Sequence, residues 1–281
     1  MSIRNRLNYY MTVLTKDMAK QAEFDYENFK TAHDVLHTYA GNIAGKAILD
    51  VGCGRLCSQT LLFHSLRGKV TGIDTTYIVL NKPSYLKYWQ SLTKNGLEGF
   101  GRDVIYALLG KNKAYYQRLR SLSRLKLEPK ALDIRQMDVE NMSFPDSMFD
   151  IVISNNVFEH IDNIPKAISE VARVLKRGGI TYIRINLFTS LFGGHNLDWR
   201  KPSKVPPWDH LRNNRYTAPV YLNRLRQHEY ISLFRERFEI LDVIDGCYFG
   251  KDLLTPSIRA ELSDYSEEEL LKTHTTIVTR K

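Results

Sequence analysis

The chain has 281 residues, 43% of them hydrophobic and 25% charged, with a formal net charge of +9, and is long enough for one large α/β domain. No stretch approaches the ~20 apolar residues of a transmembrane helix, and the first residues lack the apolar core of a secretory signal. Three cysteines without framework spacing exclude a disulfide scaffold and predict a cytoplasmic protein.

The first part of the chain predicts helices followed by a strand–helix–strand unit. Residues 1–44 are predicted to be helical, with an amphipathic helix at 22–40. The apolar run Ala47–Val51 predicts a buried strand that ends in a glycine turn, and Lys69–Asp74 predicts a second strand. Residues 46–74 therefore have the size of a βαβ unit.

Residues 78–130 predict a basic helical insertion between the second and third strands. Residues 82–130 hold eleven Lys and Arg against three Asp and Glu, so this stretch alone contributes +8 of the net charge. Basic side chains interleaved with tyrosines could bind nucleic acid or another anionic partner, or could form a solvated helical face. The sequence leaves both interpretations open.

The remaining chain alternates between predicted strands and helices, which favours a largely parallel sheet covered by helices on both faces. A helix beginning near Pro165 is predicted to end in a basic turn at Lys176–Gly179. Residues 189–218 predict a loop and residues 219–236 a helix. The predicted strands lie at residues 131–138, 149–154, 180–185, 238–244 and 275–279.

The turn after the first strand has the properties of a nucleoside site. Glycines let the backbone approach a ligand closely, and the following helix directs amide groups at it. Asp74 ends the second strand 20 residues after Gly54, where a carboxylate can accept hydrogen bonds from a ribose diol. Dinucleotide enzymes share this layout.

Five segments, in order, resemble the motifs of class I S-adenosylmethionine-dependent methyltransferases. They are Ile48–Gly54, Gly72–Asp74, Gln136–Val139 with Phe144-Pro145, Phe149–Ile161 and Val174–Gly179. The resemblance covers roughly residues 45–188 apart from the insertion. One position departs from the pattern, because Leu56 stands where many members carry a further glycine.

The resemblance implies one Rossmann-like methyltransferase domain over residues 1–281, with about seven strands and an antiparallel last strand. Its parts would be the N-terminal helices (1–44), the cofactor core (45–77 and 131–188), the insertion (78–130), a substrate loop and helix (189–236) and the C-terminal strands (237–281). It implies S-adenosylmethionine as cofactor. Asp50, Gly52, Cys53 and Gly54 would lie near its methionine part, Asp74 at the ribose, Asp138 and Val139 at the adenine and Asn155 near the sulfonium.

Ligands of open α/β sheets bind beyond the carboxyl ends of the strands, so the segments after strands four and five should hold the acceptor. A hydroxyl acceptor needs a base, for which His195 is the first candidate, followed by His160 and His210; each could equally be structural. Trp199 and Trp208 could stack on the acceptor or anchor the loop. Arg200 and Arg212 could bind an anionic group or pair with nearby aspartates.

The leading hypothesis is an O-methyltransferase acting on a small molecule or glycan, with a homodimer possible. No metal site is predicted, since no spacing such as His-Glu-x-x-His occurs. One alternative is a tRNA or rRNA methyltransferase that uses the basic insertion. Another is a non-catalytic binding or scaffold protein in which Leu56 spoils the cofactor turn. A nicotinamide-dependent oxidoreductase is disfavoured by the motifs after the second strand.

Overall fold

The computed structural model describes residues 11, 13–76, 78, 84–195, 205–212 and 220–281, with only the backbone for 84–87. Within it the chain divides into two compact units, residues 1–138 and 139–281. No helix among these residues is both long enough and apolar enough to cross a membrane.

The first unit alternates three short strands with helices. In chain order its elements are α1 (Met18–Ala40), β1 (Ala47–Val51), α2 (Ser58–Ser65), β2 (Lys69–Asp74), α3 (Ser84–Leu108), α4 (Lys111–Ser123) and β3 (Asp133–Gln136). Asp17 caps α1 by accepting hydrogen bonds from the amides of Ala19 and Lys20, and Gly41 ends it in the left-handed region. Two of these strands, β1 and β2, lie at the predicted residues.

The second unit contains the remaining four strands. Its elements are β4 (Phe149–Asn155), α5 (Ile164–Val174), β5 (Leu175–Asn186), α6 (Asp209–Arg212), α7 (Gln227–Arg235), β6 (Glu239–Asp245), α8 (Pro256–Glu261), α9 (Glu267–Leu271) and β7 (His274–Arg280). A single 3₁₀ turn, Phe158–His160, follows β4. This turn and the residues after β5 carry the polar side chains discussed below.

The seven strands form one sheet in the order β3-β2-β1-β4-β5-β7-β6. Strand β2 pairs in parallel with β1 and β3, and β4 pairs in parallel with β5. The last strand, β7, is antiparallel to both β5 and β6. The predicted fold class, a Rossmann-like α/β sheet of seven strands with an antiparallel last strand and a helical insertion, is confirmed.

Two predicted element boundaries are wrong. The helix α5 ends at Val174, and Lys176–Gly179 belong to β5, where Gly178 and Gly179 exchange backbone hydrogen bonds with Lys281. The helix predicted over 219–236 spans only Gln227–Arg235 among the described residues. It begins there because the Glu229 carboxylate accepts a hydrogen bond from the Arg226 amide at the start of the helix.

Candidate active site

The glycine turn after β1 is held by the acid that ends β2. The Gly54 amide donates a hydrogen bond to Asp74 Oδ2 over 3.0 Å, and the Thr76 amide donates to Asp74 Oδ1 over 2.7 Å. Gly52 and Gly54 both have positive φ angles, of 71° and 61°, which favour glycine. The two residues that the sequence assigns to methionine and ribose binding are therefore already connected within the first unit.

Close packing behind this turn depends on a third glycine. A Cβ atom at Gly72 would lie 2.9 Å from Thr60 Oγ1 and 3.0 Å from Cys53 Cβ. Thr60 in turn donates a 2.6 Å hydrogen bond to the buried carboxylate of Asp50. Burial raises the pKa of Asp50 to about 6, against the lowering effect of the hydrogen bonds from Thr60. Asp50 and Cys53 thus fix the turn from within the core.

The residues predicted to bind the adenine and to lie near the sulfonium follow β3 and end β4. Asp138 is exposed after β3, and Val139, which follows it, is buried. Asn155 ends β4, and both its Oδ1 and its Nδ2 are buried without a hydrogen-bond partner among the described residues. Such an amide is costly to bury unless a ligand or another group satisfies it. The residues present therefore fit a polar cofactor.

The 3₁₀ turn after β4 is fastened by an extended segment before α7. The Asn223 side-chain amide donates to the carbonyl oxygens of Phe158 (2.7 Å) and Ile161 (3.1 Å). The backbone amide of Asn223 donates to the Glu159 carbonyl (3.0 Å). The buried Tyr230 hydroxyl donates to Asn223 Oδ1 over 2.7 Å. These bonds fix the backbone of the turn.

Three polar side chains come together at this turn. Glu159, His160 and His195 each offer a ligand or acceptor atom, and these atoms lie within 4.8 Å of one another. The rings of His160 and His195 have centroids 4.8 Å apart and are nearly perpendicular, at 87°. Two of the predicted catalytic histidines are therefore neighbours, and a glutamate that the sequence did not single out lies with them.

The three side chains differ in their surroundings. Glu159 is only 3% exposed; its Oε1 accepts a 2.8 Å hydrogen bond from Asn186, while its Oε2 is buried without a partner among the described residues. Burial raises the pKa of Glu159. His160 Nδ1 lies 2.9 Å from the Tyr221 carbonyl oxygen. Burial, together with the charge of His160, lowers the pKa of His195 to about 4.

Two glycines allow His195 to reach this position. A Cβ at Gly193 would lie 2.2 Å from the Phe188 carbonyl oxygen, and one at Gly194 would lie 2.7 Å from the His210 ring. His195 itself has a φ of 53°, in the left-handed region that non-glycine residues adopt only at a cost. The Gly193-Gly194 pair thus turns the chain sharply after β5.

The geometry of His210 favours a structural role. Its Nε2 donates a 2.7 Å hydrogen bond to the Phe188 carbonyl, and its ring meets the Phe188 ring edge-on. Burial lowers the pKa of His210 to about 4. His210 stays a candidate base only as a prediction, because its Nε2 is engaged by the Phe188 carbonyl.

We expect His210 to make the protein less stable in acid. A histidine whose folded pKa is lowered contributes stability that is complete above its unfolded pKa, 6.5, and is lost as the pH falls through about 4. At most roughly 3 kcal/mol follows from a shift of this size. Urea unfolding at pH 7 and pH 4.5 measures it, and His210→Gln, which keeps a donor but does not titrate, should lose less stability over this interval. An equal loss in both proteins would contradict the assignment.

Two of the other substrate candidates bond to other residues of the protein, and two lie outside the described residues. Trp208 is 1% exposed, and its Nε1 donates to the Leu270 carbonyl over 3.1 Å, so it anchors its segment. Arg212 forms a bidentate ion pair with Glu261, at 2.7 and 2.8 Å, and not with Asp209. Trp199 and Arg200 lie outside the described residues, and their roles stay predictions.

Part of the basic charge in the insertion is used inside the first unit. Arg118 donates twice to Glu23 Oε1, at 2.6 and 3.0 Å, and Lys111 donates to the carbonyls of Leu14 and Lys16. The Arg55 guanidinium from the glycine turn pairs with Asp103 on α3. These contacts fasten the insertion to α1 and to the cofactor turn, which favours a structural explanation for these cations.

The chain is similar to known methyltransferases. Residues 87–183 match the family model described as "Methyltransferase domain". A phosphatidylethanolamine N-methyltransferase from Cereibacter sphaeroides is 28% identical over 138 residues, or 49% of each chain. A 2-phytyl-1,4-naphtoquinone methyltransferase from Nostoc punctiforme is 29% identical over 109 residues, 37% of this chain and 42% of the relative. The matched segments thus span less than half of either relative.

A solved structure agrees on the fold. A Galdieria sulphuraria protein, named as a candidate sarcosine dimethylglycine methyltransferase, superposes with a TM-score of 0.50 at 14% identity, covering 91% of this chain and 86% of the other. An S-adenosylmethionine-dependent methyltransferase from Mesorhizobium loti gives 0.49 at 12% identity, covering 88% and 96%.

The resemblance to class I S-adenosylmethionine-dependent methyltransferases is confirmed. The matched range begins after the glycine turn and includes Asp138, Val139 and Asn155, while the turn itself was identified from its own motif. The family model and the curated relatives agree with the predicted methyltransferase class, and the S-adenosylmethionine cofactor is the one that this resemblance implies. The roles of the individual site residues stay predictions.

Proposed function

We propose that the protein transfers a methyl group from S-adenosylmethionine to a hydroxyl oxygen of a small molecule or glycan. The cluster of Glu159, His160 and His195 carries this proposal. It lies in the segments that follow β4 and β5, at the carboxyl ends of the strands, where ligands of such sheets bind. A hydroxyl must lose a proton during transfer, and this cluster offers proton acceptors that an amine, arriving unprotonated, would not need.

The cofactor side of the reaction needs little chemistry from the protein. S-adenosylmethionine supplies a methyl group bound to a positively charged sulfur. A correctly aligned nucleophile attacks the methyl carbon and displaces the sulfur. Gly52 and Gly54 would hold its methionine part, Asp74 its ribose hydroxyls and Asp138 its adenine. The unpartnered amide of Asn155 would be satisfied by the bound cofactor or acceptor. Alignment of the reacting atoms would supply much of the rate enhancement.

On the acceptor side, His160 is the better candidate base. Its Nδ1 donates to the Tyr221 carbonyl, so its Nε2 carries a lone pair and the ring is held in one orientation. His195, the first candidate from the sequence, has a pKa lowered to about 4, which makes it a weak proton acceptor near neutral pH. The proton of the acceptor would therefore pass to His160.

A second candidate function is methylation of an amine or of a quinone ring. The named substrates of the two curated relatives, phosphatidylethanolamine and 2-phytyl-1,4-naphtoquinone, support it. An RNA substrate is less favoured, because several cations of the insertion, Arg102, Lys111, Arg118 and Lys126, form ion pairs or hydrogen bonds within the first unit. The homodimer and the cytoplasmic location stay predictions, as does the scaffold alternative.

One experiment separates these functions. The protein is titrated with S-adenosylhomocysteine by calorimetry and then incubated with methyl-labelled S-adenosylmethionine and four acceptor sets: hydroxylated glycans and phenols, phosphatidylethanolamine vesicles, a naphthoquinone, and tRNA. We expect micromolar-range binding and label in the first set, in an ether resistant to mild alkali. Label only in the lipid or the quinone would favour the second candidate. Failure to bind the nucleoside would favour a scaffold.

A further inference from the structure

The cluster after β4 and β5 combines two imidazoles and one carboxylate, which is a ligand set for a transition metal. Glu159 and His160 come from one 3₁₀ turn, and His195 comes from the chain 35 residues later. Two histidines and a glutamate bind catalytic zinc, and two histidines and a carboxylate bind iron(II), with positions left open for a substrate in both cases. All three residues belong to the second unit.

Two of the three side chains, His160 and Glu159, are oriented as ligands by their neighbours. The hydrogen bond from His160 Nδ1 to the Tyr221 carbonyl leaves Nε2 unprotonated, which is the arrangement that metal-binding histidines use. Asn186 orients the Glu159 carboxylate through Oε1, so that Oε2 remains buried without a partner among the described residues. A buried, unpartnered carboxylate oxygen is costly, and a cation beside it removes the cost.

The separations suit an ion after a small contraction. Ligand atoms about 2.1 Å from a tetrahedral ion lie about 3.4 Å apart, whereas the three atoms here lie within 4.8 Å of one another. His160 is held by the Tyr221 carbonyl, whereas His195 follows the Gly193-Gly194 turn, so a small movement of the His195 side chain would close the difference.

We propose that Glu159, His160 and His195 bind a divalent transition-metal ion that holds and acidifies the acceptor hydroxyl. This proposal rests on the proposed hydroxyl methylation and departs from the sequence-based expectation of no metal. The ion lowers the pKa of the hydroxyl, as it does for bound water, and this role replaces that of His160 as the base. The acceptor gives its proton to solvent, and its oxygen attacks the methyl carbon. The carbon–sulfur bond breaks with its electron pair staying on sulfur, so that a methyl ether and S-adenosylhomocysteine result and the ion keeps its oxidation state.

Cobalt(II) tests the site directly, because its visible absorption reports nitrogen and oxygen coordination without any acceptor. The full chain is stripped with a chelator and titrated with Co²⁺, and Zn²⁺ competition is followed by calorimetry. We expect one Co²⁺ per chain, displaced by Zn²⁺. Glu159→Gln, His160→Asn and His195→Asn should weaken binding at least ~10-fold. His228→Gln, which changes an exposed histidine on α7 outside the cluster, should bind Co²⁺ as the unaltered protein does.

The outcomes separate this proposal from the proposed function. Absence of stoichiometric Co²⁺, or equal binding by the three variants, overturns the metal site even if methyl transfer to a hydroxyl is found. Transfer by the stripped protein at the rate of the loaded protein overturns the role of the ion. Site-specific Co²⁺ binding together with metal-dependent transfer supports it. Thermal unfolding of each variant identifies any that fails to fold, and the isosteric Glu159→Gln then decides.

Discussion

Asp74→Ala is expected to weaken binding of S-adenosylmethionine and S-adenosylhomocysteine by about 100-fold or more. The carboxylate would lose two charge-assisted hydrogen bonds from the ribose diol, each worth roughly 1.5–3 kcal/mol. It would also lose its bonds to the amides of Gly54 and Thr76, which fix the glycine turn. Because 1.4 kcal/mol corresponds to tenfold in affinity, either loss alone is measurable by calorimetric titration.

Two further variants separate ligand contact from turn geometry. Asp74→Asn keeps one acceptor oxygen for the Gly54 amide, so it should lose less affinity than Asp74→Ala. Asp133→Ala removes another strand acid of the same unit, which pairs with Arg135 and accepts from Thr71, and should leave nucleoside affinity unchanged. An Asp74→Ala protein that binds the nucleoside normally would place the ribose elsewhere and remove the basis of the cofactor assignment.

The cofactor half of the molecule was predictable because its determinants are local. The strand β1, the glycine turn and β2 lie within 28 residues, so hydrophobic runs and glycines define them directly. The link between Gly54 and Asp74 follows from parallel pairing of β1 with β2, which brings their carboxyl ends together. Sequence spacing therefore assigned Gly54 and Asp74 to one strand–helix–strand unit, although it did not predict that Asp74 would bond the turn amide itself.

The acceptor half was predictable only in part, because its contacts join distant parts of the chain. The pairing of His160 with His195 depends on the turn at Gly193-Gly194 and on Asn223, which fastens the 3₁₀ turn from 62 to 65 residues away. Glu159 was not selected since its burial cannot be judged from its neighbours in sequence. Its position beside His160, directly after a strand, was the available signal.

The sequence after β6 contains two helix-start signals from which no helix was predicted. Thr255 precedes Pro256 at the start of α8, and Ser266 with Glu269 forms a capping box at the start of α9. Both helices are short, so their apolar residues do not repeat often enough to form a periodic pattern. Their burial against Trp208 gives them a role that only the tertiary structure defines.

Trp208→Ala is expected to destabilise the second unit by roughly 3–5 kcal/mol, the usual cost of removing a large buried aromatic side chain. The indole packs among Leu191, Ile258 and the helix α9, and its Nε1 donates to the Leu270 carbonyl, which would be left without that donor. Trp208 also has a φ of 53°, a strained conformation that the packing of its ring maintains. Urea denaturation followed by circular dichroism measures the loss.

Trp208→Phe separates the hydrogen bond from the packing. It keeps an aromatic ring and removes only the Nε1 donor, so it should cost less than the alanine variant while still leaving the Leu270 carbonyl unpaired. Phe249→Ala is the matched control, because Phe249 is 47% exposed and its truncation should cost little. If Trp208→Ala instead kept the stability of the unaltered protein and lost affinity for the acceptor, the indole would be a stacking surface for the acceptor. A large loss of stability with Trp208→Ala and a smaller one with Trp208→Phe would mean that the indole forms the core on which the acceptor segment rests.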